Sequence, residues 1–184
     1  DERLFPVAAA RFIETMRPAP NLYHTFTFGA YLVWGLRDYR LFGDTRETPF
    51  RELTDLYRRA YASPVVARAL HERYAINALL VPIPGTARIA DLGWRDVIEE
   101  FTPRTDWALV YFDDISLLML RRVPENARII AEHEYTVLRP NIPADWTVRS
   151  ARRAAKDTGA LRAELSRCDG AVRYCRLAGE LLSR

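Results

Sequence analysis

The sequence predicts an α/β domain: a three-layer, mostly parallel sheet of about five strands, an antiparallel hairpin at its C-terminal edge, and a helical tail. Three observations predict it. Helix-period and strand-period segments alternate through residues 1–125, as they do where parallel strands are joined by helical crossovers. Ile76 to Ile83 is a largely apolar run with Pro82 and Pro84 at its C-terminal end, the pattern of a buried central strand. Trp107 to Phe112 and Ile115 to Leu120 are β-rich runs separated only by Asp113-Asp114, a hairpin with a two-residue turn.

In chain order, Phe5, Ala8, Ala9, Phe12, Ile13 and Met16 have helical spacing, and Pro18 and Pro20 end that run. Asn21 to Phe26 reads as a short strand. Gly29 and Gly35 bracket a compact apolar segment, Ala30 to Trp34, read as helical. Tyr39 to Gly43 reads as a second strand, followed by the polar turn Asp44-Thr45-Arg46. Thr48-Pro49 and Ser63-Pro64 each pair a capping hydroxyl with proline at the first helical position. The first opens a helix with Leu53, Leu56, Tyr57, Ala60 and Tyr61 on its apolar face, and the second a helix to about Tyr74. Trp94, Val97, Ile98 and Phe101 mark another helical face. Pro124 ends the hairpin, and a connection containing Pro140 and Pro143 leads to a tail with Leu161, Leu165, Val172 and Leu177 as apolar positions. The domain organisation is therefore an α/β body over 1–125 and a connection with helical tail over 126–184, packed on the same domain.

Composition excludes disorder: 49% of residues are hydrophobic and 28% charged. No apolar run approaches the roughly 20 residues that span a bilayer. The chain starts at Asp1 instead of methionine, which reads as a segment cut from a longer protein. Lys156 is the only lysine. From Trp146 onward there are nine basic and four acidic residues, a balance of +5 in a chain of net charge +3. Such a tail suits a solvated helix face, anionic lipid headgroups or nucleic acid. Cys168 and Cys175 cannot bridge within one continuous helix, but Gly170 between them can interrupt it.

Ligands of open α/β sheets bind at the carboxyl ends of strands, which draws attention to His24, to Asp44 and Arg46, to Pro82 to Gly85, and to Asp113 and Asp114. Each has a plain structural reading: Asp44 and Asp113-Asp114 suit turn backbones, and Arg46 suits pairing with Asp44. Ile83-Pro84-Gly85-Thr86 has only one glycine with which to cradle a phosphate. Phe26, Phe28, Tyr31 and Trp34 read as a core cluster, with Tyr31 and Trp34 as a sugar platform should they be exposed. His24, His71 and His133 have no metal-ligand spacing, and His71 is expected to face solvent from a helix. No nucleophile elbow, Walker loop or dinucleotide turn is present, and no metal or cofactor is expected.

Asn21-Leu22-Tyr23-His24-Thr25-Phe26-Thr27-Phe28-Gly29-Ala30-Tyr31-Leu32-Val33-Trp34 resembles a segment of large bacterial polytopic membrane proteins. Those proteins resemble glycosyltransferases of the multi-helix class with lipid-linked donors. There the segment runs from a tyrosine-asparagine start through Trp-Gly-Gly-Tyr-Leu to a tryptophan, and a phenylalanine with Asp-Gly-Arg follows. Leu41-Phe42-Gly43-Asp44-Thr45-Arg46 corresponds to the latter, and Trp107 to Asp114 to a tryptophan-led hairpin. Ala30 stands for the second glycine of the pair, and Gly43-Asp44-Thr45-Arg46 departs from the Asp-Gly-Arg order. The similarity covers about residues 20–125. It implies a non-catalytic C-terminal domain at the periplasmic face of the inner membrane, often followed by tetratricopeptide-like helices. The implied partners are the membrane half of the same parent chain and a carbohydrate or lipid-linked sugar, not nucleic acid. Two other readings compete: a free-standing doubly wound enzyme or nucleotide or sugar binder at the strand ends, and a protein-binding module with a concave apolar face around Leu161, Leu165 and Leu177.

Overall fold

The structure, a computed structural model, describes residues 4–42, 55–56, 59–60, 63–83, 102–140, 144–170 and 172–184. Helix α1 (Val7–Met16) buries Ala9, Ala10 and Ile13, and Arg17 closes it in the left-handed conformation at φ 52°. Strand β1 (Leu22–His24) leads into α2 (Phe26–Gly35). Ser63 caps α3 (Pro64–Arg73), with Oγ accepting from the Val66 amide at 3.5 Å, and Pro64 fills the first turn. Fully buried β2 (Ala78–Pro82) follows, then the hairpin β3 (Trp107–Phe112) and β4 (Ser116–Arg121). After a 3-10 turn at Pro124–Asn126 come α4 (Ala127–His133), α5 (Ala144–Arg153), α6 (Asp157–Arg167) and α7 (Arg173–Ser183). Among the described residues no helix is long and apolar enough to cross a membrane.

The sheet is mixed and four-stranded, in the order β1-β2-β4-β3. Only the β1–β2 ladder is parallel; β2–β4 and β4–β3 are antiparallel. The expected mostly parallel, five-stranded pairing is not what the described residues form. The reason is local: β3 runs in the same direction as β1 and β2, but one place further out, and β4 folds back into the gap. The strand expected over Tyr39 to Gly43 is a single parallel bridge, Leu41 to Leu22. Phe26, expected in a strand, already opens α2. Helix α4, unremarked in the sequence, lays Ile129 and Ile130 against the sheet. Of the helix expected from Thr48-Pro49, residues 55–56 and 59–60 are described and helical; Trp94 to Phe101 lies outside the described residues.

Both sheet faces are buried, which makes the body three-layered. Leu22, Ala78, Leu80, Leu118 and Leu120 meet α1, α2 and α4 on one face. Tyr23, Leu79, Val81, Leu117 and Met119 share the other with α3 and with Val148, Leu161, Cys175 and Ala178 of the last three helices. The tail therefore packs across the sheet. Leu161 is fully buried and Leu165 half-buried, so the exposed apolar concavity expected around them does not form; Leu177 remains partly exposed. A bulge at Val110 shifts the β3 register between Leu109 and Tyr111. It turns Val110 and Tyr111 toward one core and Phe112 toward the other.

Two polar residues bind these layers. Asn126 is fully buried; its Oδ1 accepts from the Ala19 amide at 2.7 Å, and its Nδ2 donates to Asn77 O at 3.1 Å and Arg121 O at 2.9 Å. Glu164 of α6 is buried, and its carboxylate accepts from the amides of Thr136 (2.6 Å), Val137 (3.0 Å) and Leu138 (2.7 Å) and from the Thr136 hydroxyl (2.8 Å). Backbone amides and a hydroxyl thus take the place of water around a buried charge. Arg167 adds bonds to the Glu132 and Glu134 carbonyls, both at 2.8 Å. Asn126→Ala strands a buried amide and weakens two carbonyl partners, so it is expected to lower unfolding free energy by about 3 kcal/mol in urea titration. A loss below about 1 kcal/mol would remove Asn126 from this role.

Candidate functional site

The carboxyl ends of β1, β2 and β3 share one sheet edge with the start of β4, as the Ile83 amide bond to Ile115 O at 2.9 Å shows. Three of the sequence candidates lie there. His24 ends β1 in the interior, with Nδ1 2.9 Å from Thr25 O; a carbonyl only accepts, so Nδ1 is the donor. Asp113 is occupied by its own turn. Its Oδ1 accepts from the Ile115 amide (2.9 Å) and from the Ser116 amide (2.7 Å) and hydroxyl (3.0 Å), and its Oδ2 from the Tyr111 hydroxyl (3.1 Å). Burial, with the Asp113 carboxylate alongside, pushes the Tyr111 hydroxyl well above the ordinary tyrosine range. Asp114 Oδ1 accepts from the Arg173 amide at 2.8 Å, at the N-terminus of α7. The two carboxylates therefore serve different partners, and the turn centres on Asp114-Ile115 instead of Asp113-Asp114. No group of acidic, histidine or cysteine side chains suited to a metal occurs among the described residues. Asp44, Arg46 and Pro84 to Thr86 lie outside the described residues.

The aromatic cluster divides. Phe28 is buried, and Tyr31 is half-buried with its ring stacked 5.7 Å from Phe5. Trp34, expected in the core, is 72% exposed. The cause lies in α2, which carries no charged residue and is apolar all round. Phe28, Leu32 and Leu36 take the inward side, leaving Phe26, Ala30, Val33 and Trp34 outward. Trp34 borders a surface pocket of about 330 Å³ whose polar walls include Glu14, Arg17, Arg37, Asp38 and Tyr39. Arg37 lies over the Trp34 ring at 6.0 Å, and Arg17 is 4.0 Å from Asp38. Tyr39 donates to Pro18 O at 2.9 Å, and burial raises its pKa against the opposing charge of Arg17. Gly35 lies one turn after Tyr31 on α2, and a Cβ there would stand 3.2 Å from the Tyr31 ring. The pocket thus presents one flat apolar surface beside acceptors and forked donors, chemistry that suits a polyhydroxylated ligand.

His71 departs from expectation. It is 5% exposed, packed edge-on between Tyr23 (6.0 Å) and Trp107 (5.2 Å), and its Nδ1 has no hydrogen-bond partner. Burial and, to a lesser extent, the nearby Arg121 charge together lower its pKa from 6.5 to about 4. The sequence signal was present: Ala67, Leu70 and His71 share one helical face. Cys168 and Cys175 form a disulfide across Gly170, with Cα atoms 6.2 Å apart, tying the end of α6 to α7. Compared with known proteins, the chain matches no family model, no curated protein and no solved structure.

Two outcomes follow from these placements. The folded state resists protonation of His71, so its contribution to stability is complete above pH 6.5 and is lost as pH falls to about 4. Urea titrations across that interval should show about 3 kcal/mol of extra loss relative to His71→Phe. Equal pH dependence in both proteins would remove His71 as the cause. Trp34→Ala should leave unfolding free energy within about 0.5 kcal/mol of the parent, whereas a buried tryptophan would cost about 3–5 kcal/mol.

Proposed function

We propose that this chain is an exported, non-catalytic accessory domain of a membrane-embedded, glycosyltransferase-like protein, and that it holds a carbohydrate against Trp34. The observation that carries this reading is Trp34 itself, 72% exposed on a short helix beside a pocket with acidic and guanidinium walls. Indole faces stack on the C–H faces of sugar rings, and carboxylates and guanidinium groups bond sugar hydroxyls in pairs. Trp34, which gives the pocket its flat apolar surface, is the last residue of the segment that resembles the membrane proteins, Asn21 to Trp34. The Cys168–Cys175 bond supports export, since disulfides persist in oxidising compartments such as the periplasm. A fifth strand continuing from the Leu41 bridge beside β1 would complete the sheet of such a domain. The competing reading, an enzyme at the strand ends, has less to draw on, because both oxygens of Asp113 are engaged in its turn.

The test is calorimetric titration of the 184-residue chain with neutral hexose and N-acetylhexosamine oligosaccharides. Saturable binding is expected, weakened at least about tenfold in Trp34→Ala, a change of about 1.4 kcal/mol. Binding that is indifferent to Trp34→Ala, or no binding to any member of the panel, would overturn the carbohydrate assignment.

A further inference from the structure

The C-terminal layer has an outward face that neither the sheet nor the Trp34 pocket uses. Helices α5 and α7 run side by side in the same direction. The Thr147 hydroxyl lies 2.6 Å from that of Tyr174 near their starts, and Arg152 donates to Leu181 O and Leu182 O near their ends. Their inward sides are Thr147, Val148 and Ala151 on one helix, and Cys175 and Ala178 on the other. The opposite sides are exposed: Trp146, Arg149 and Arg153 on α5, and Arg173, Arg176 and Leu177 on α7, with Lys156 and Arg184 following at the two ends. Trp146 is 62% exposed, with the Arg149 guanidinium 5.3 Å from its ring centre. Among the described residues the acidic groups on or beside this face are Asp145, which is paired with Arg149 at 2.6 Å, Glu180, and Asp114, whose Oδ1 accepts from the Arg173 amide at 2.8 Å.

We propose that this face docks on anionic lipid headgroups. The charge is complementary: a stripe of guanidinium groups along two parallel helices, with few acidic side chains among them, matches an anionic bilayer surface. The apolar part fits as well. An exposed tryptophan beside arginine is the pair found at membrane–water interfaces, where the ring enters the headgroup layer and the cation meets phosphate. A polyanion such as nucleic acid would satisfy the arginines but leave Trp146 and Leu177 without an apolar environment, and the disulfide argues for a compartment without nucleic acid. The face lies across the sheet from α2. Taken together with the proposed carbohydrate site, docking would turn Trp34 away from the bilayer, toward a glycan reaching outward; that consequence, unlike the docking itself, rests on the carbohydrate reading.

The experiment is flotation of the 184-residue chain with vesicles of phosphatidylcholine alone or with phosphatidylglycerol added, at low and high salt. Binding is expected only with phosphatidylglycerol and is lost at high salt. Arg153→Glu and Arg176→Glu, both at exposed positions, should each weaken it about tenfold. Trp146→Ala should weaken it too, and Trp34→Ala should leave it unchanged, which separates this surface from the sugar pocket. Circular dichroism confirms that each variant is folded. Equal flotation with the two vesicle types, or no effect of either charge reversal, would overturn the proposal. So would tighter binding to duplex DNA than to the anionic vesicles.

Discussion

The fold hangs on a knot of asparagine amides at the edge of the sheet where β1 and β2 begin. Asn126 holds the Ala19 amide and the carbonyls of Asn77 and Arg121. Asn77 donates from its side chain to Pro20 O and from its backbone to Asn21 O, while Asn21 donates to Ala75 O. Chain segments distant in sequence thus leave the helical layers and enter the sheet at fixed positions. Asn21 and Ala75 accept left-handed backbone there, at φ 69° and 46°. Such strain is sustained only where the surroundings over-determine the geometry.

With that edge fixed, the two helical layers can differ in character. The layer of α1, α2 and α4 covers the sheet by shape, with Ile13, Leu32 and Ile129 inward, and leaves an uncharged helix partly bare. The layer of α3 and α5 to α7 covers the other face and is anchored by a buried charge. Glu164 gathers successive amides of the 136–138 segment, so α6 cannot lift from the sheet without abandoning a desolvated carboxylate. The disulfide then holds α7 to α6. The result is one core on each side of the sheet and two unlike outer surfaces, one aromatic beside a polar pocket and one basic.

Much of the body was legible in the sequence because its signals are local. Ser63-Pro64 carries its own helix start, and the buried run through Ala78–Pro82 and the hairpin about Asp113 carry strand chemistry that tertiary contacts only had to accept. Strand pairing was less legible. A connection from β2 to β3 that reads as helical in the sequence is compatible with neighbouring strands or with a gap, and nothing local says that β4 fills the gap. Helix α4 is only seven residues long, too short for its periodicity to register. Trp34 was misplaced because a helix without charges does not reveal which side is outward; His71 because its residue type outweighed the face it shares with Ala67 and Leu70. The pocket at Trp34 draws on α1, α2 and the segment after α2, a convergence that no spacing along the chain encodes.

The most direct test of the account is the location and redox state of the full-length protein in its native cells. Cells would be lysed with thiols blocked, membranes washed at alkaline pH, and right-side-out spheroplasts treated with protease. The account predicts that the protein stays with the washed membranes, that external protease removes this domain, and that Cys168 and Cys175 are oxidised. A protein found in the soluble cytoplasmic fraction with both thiols reduced would contradict it.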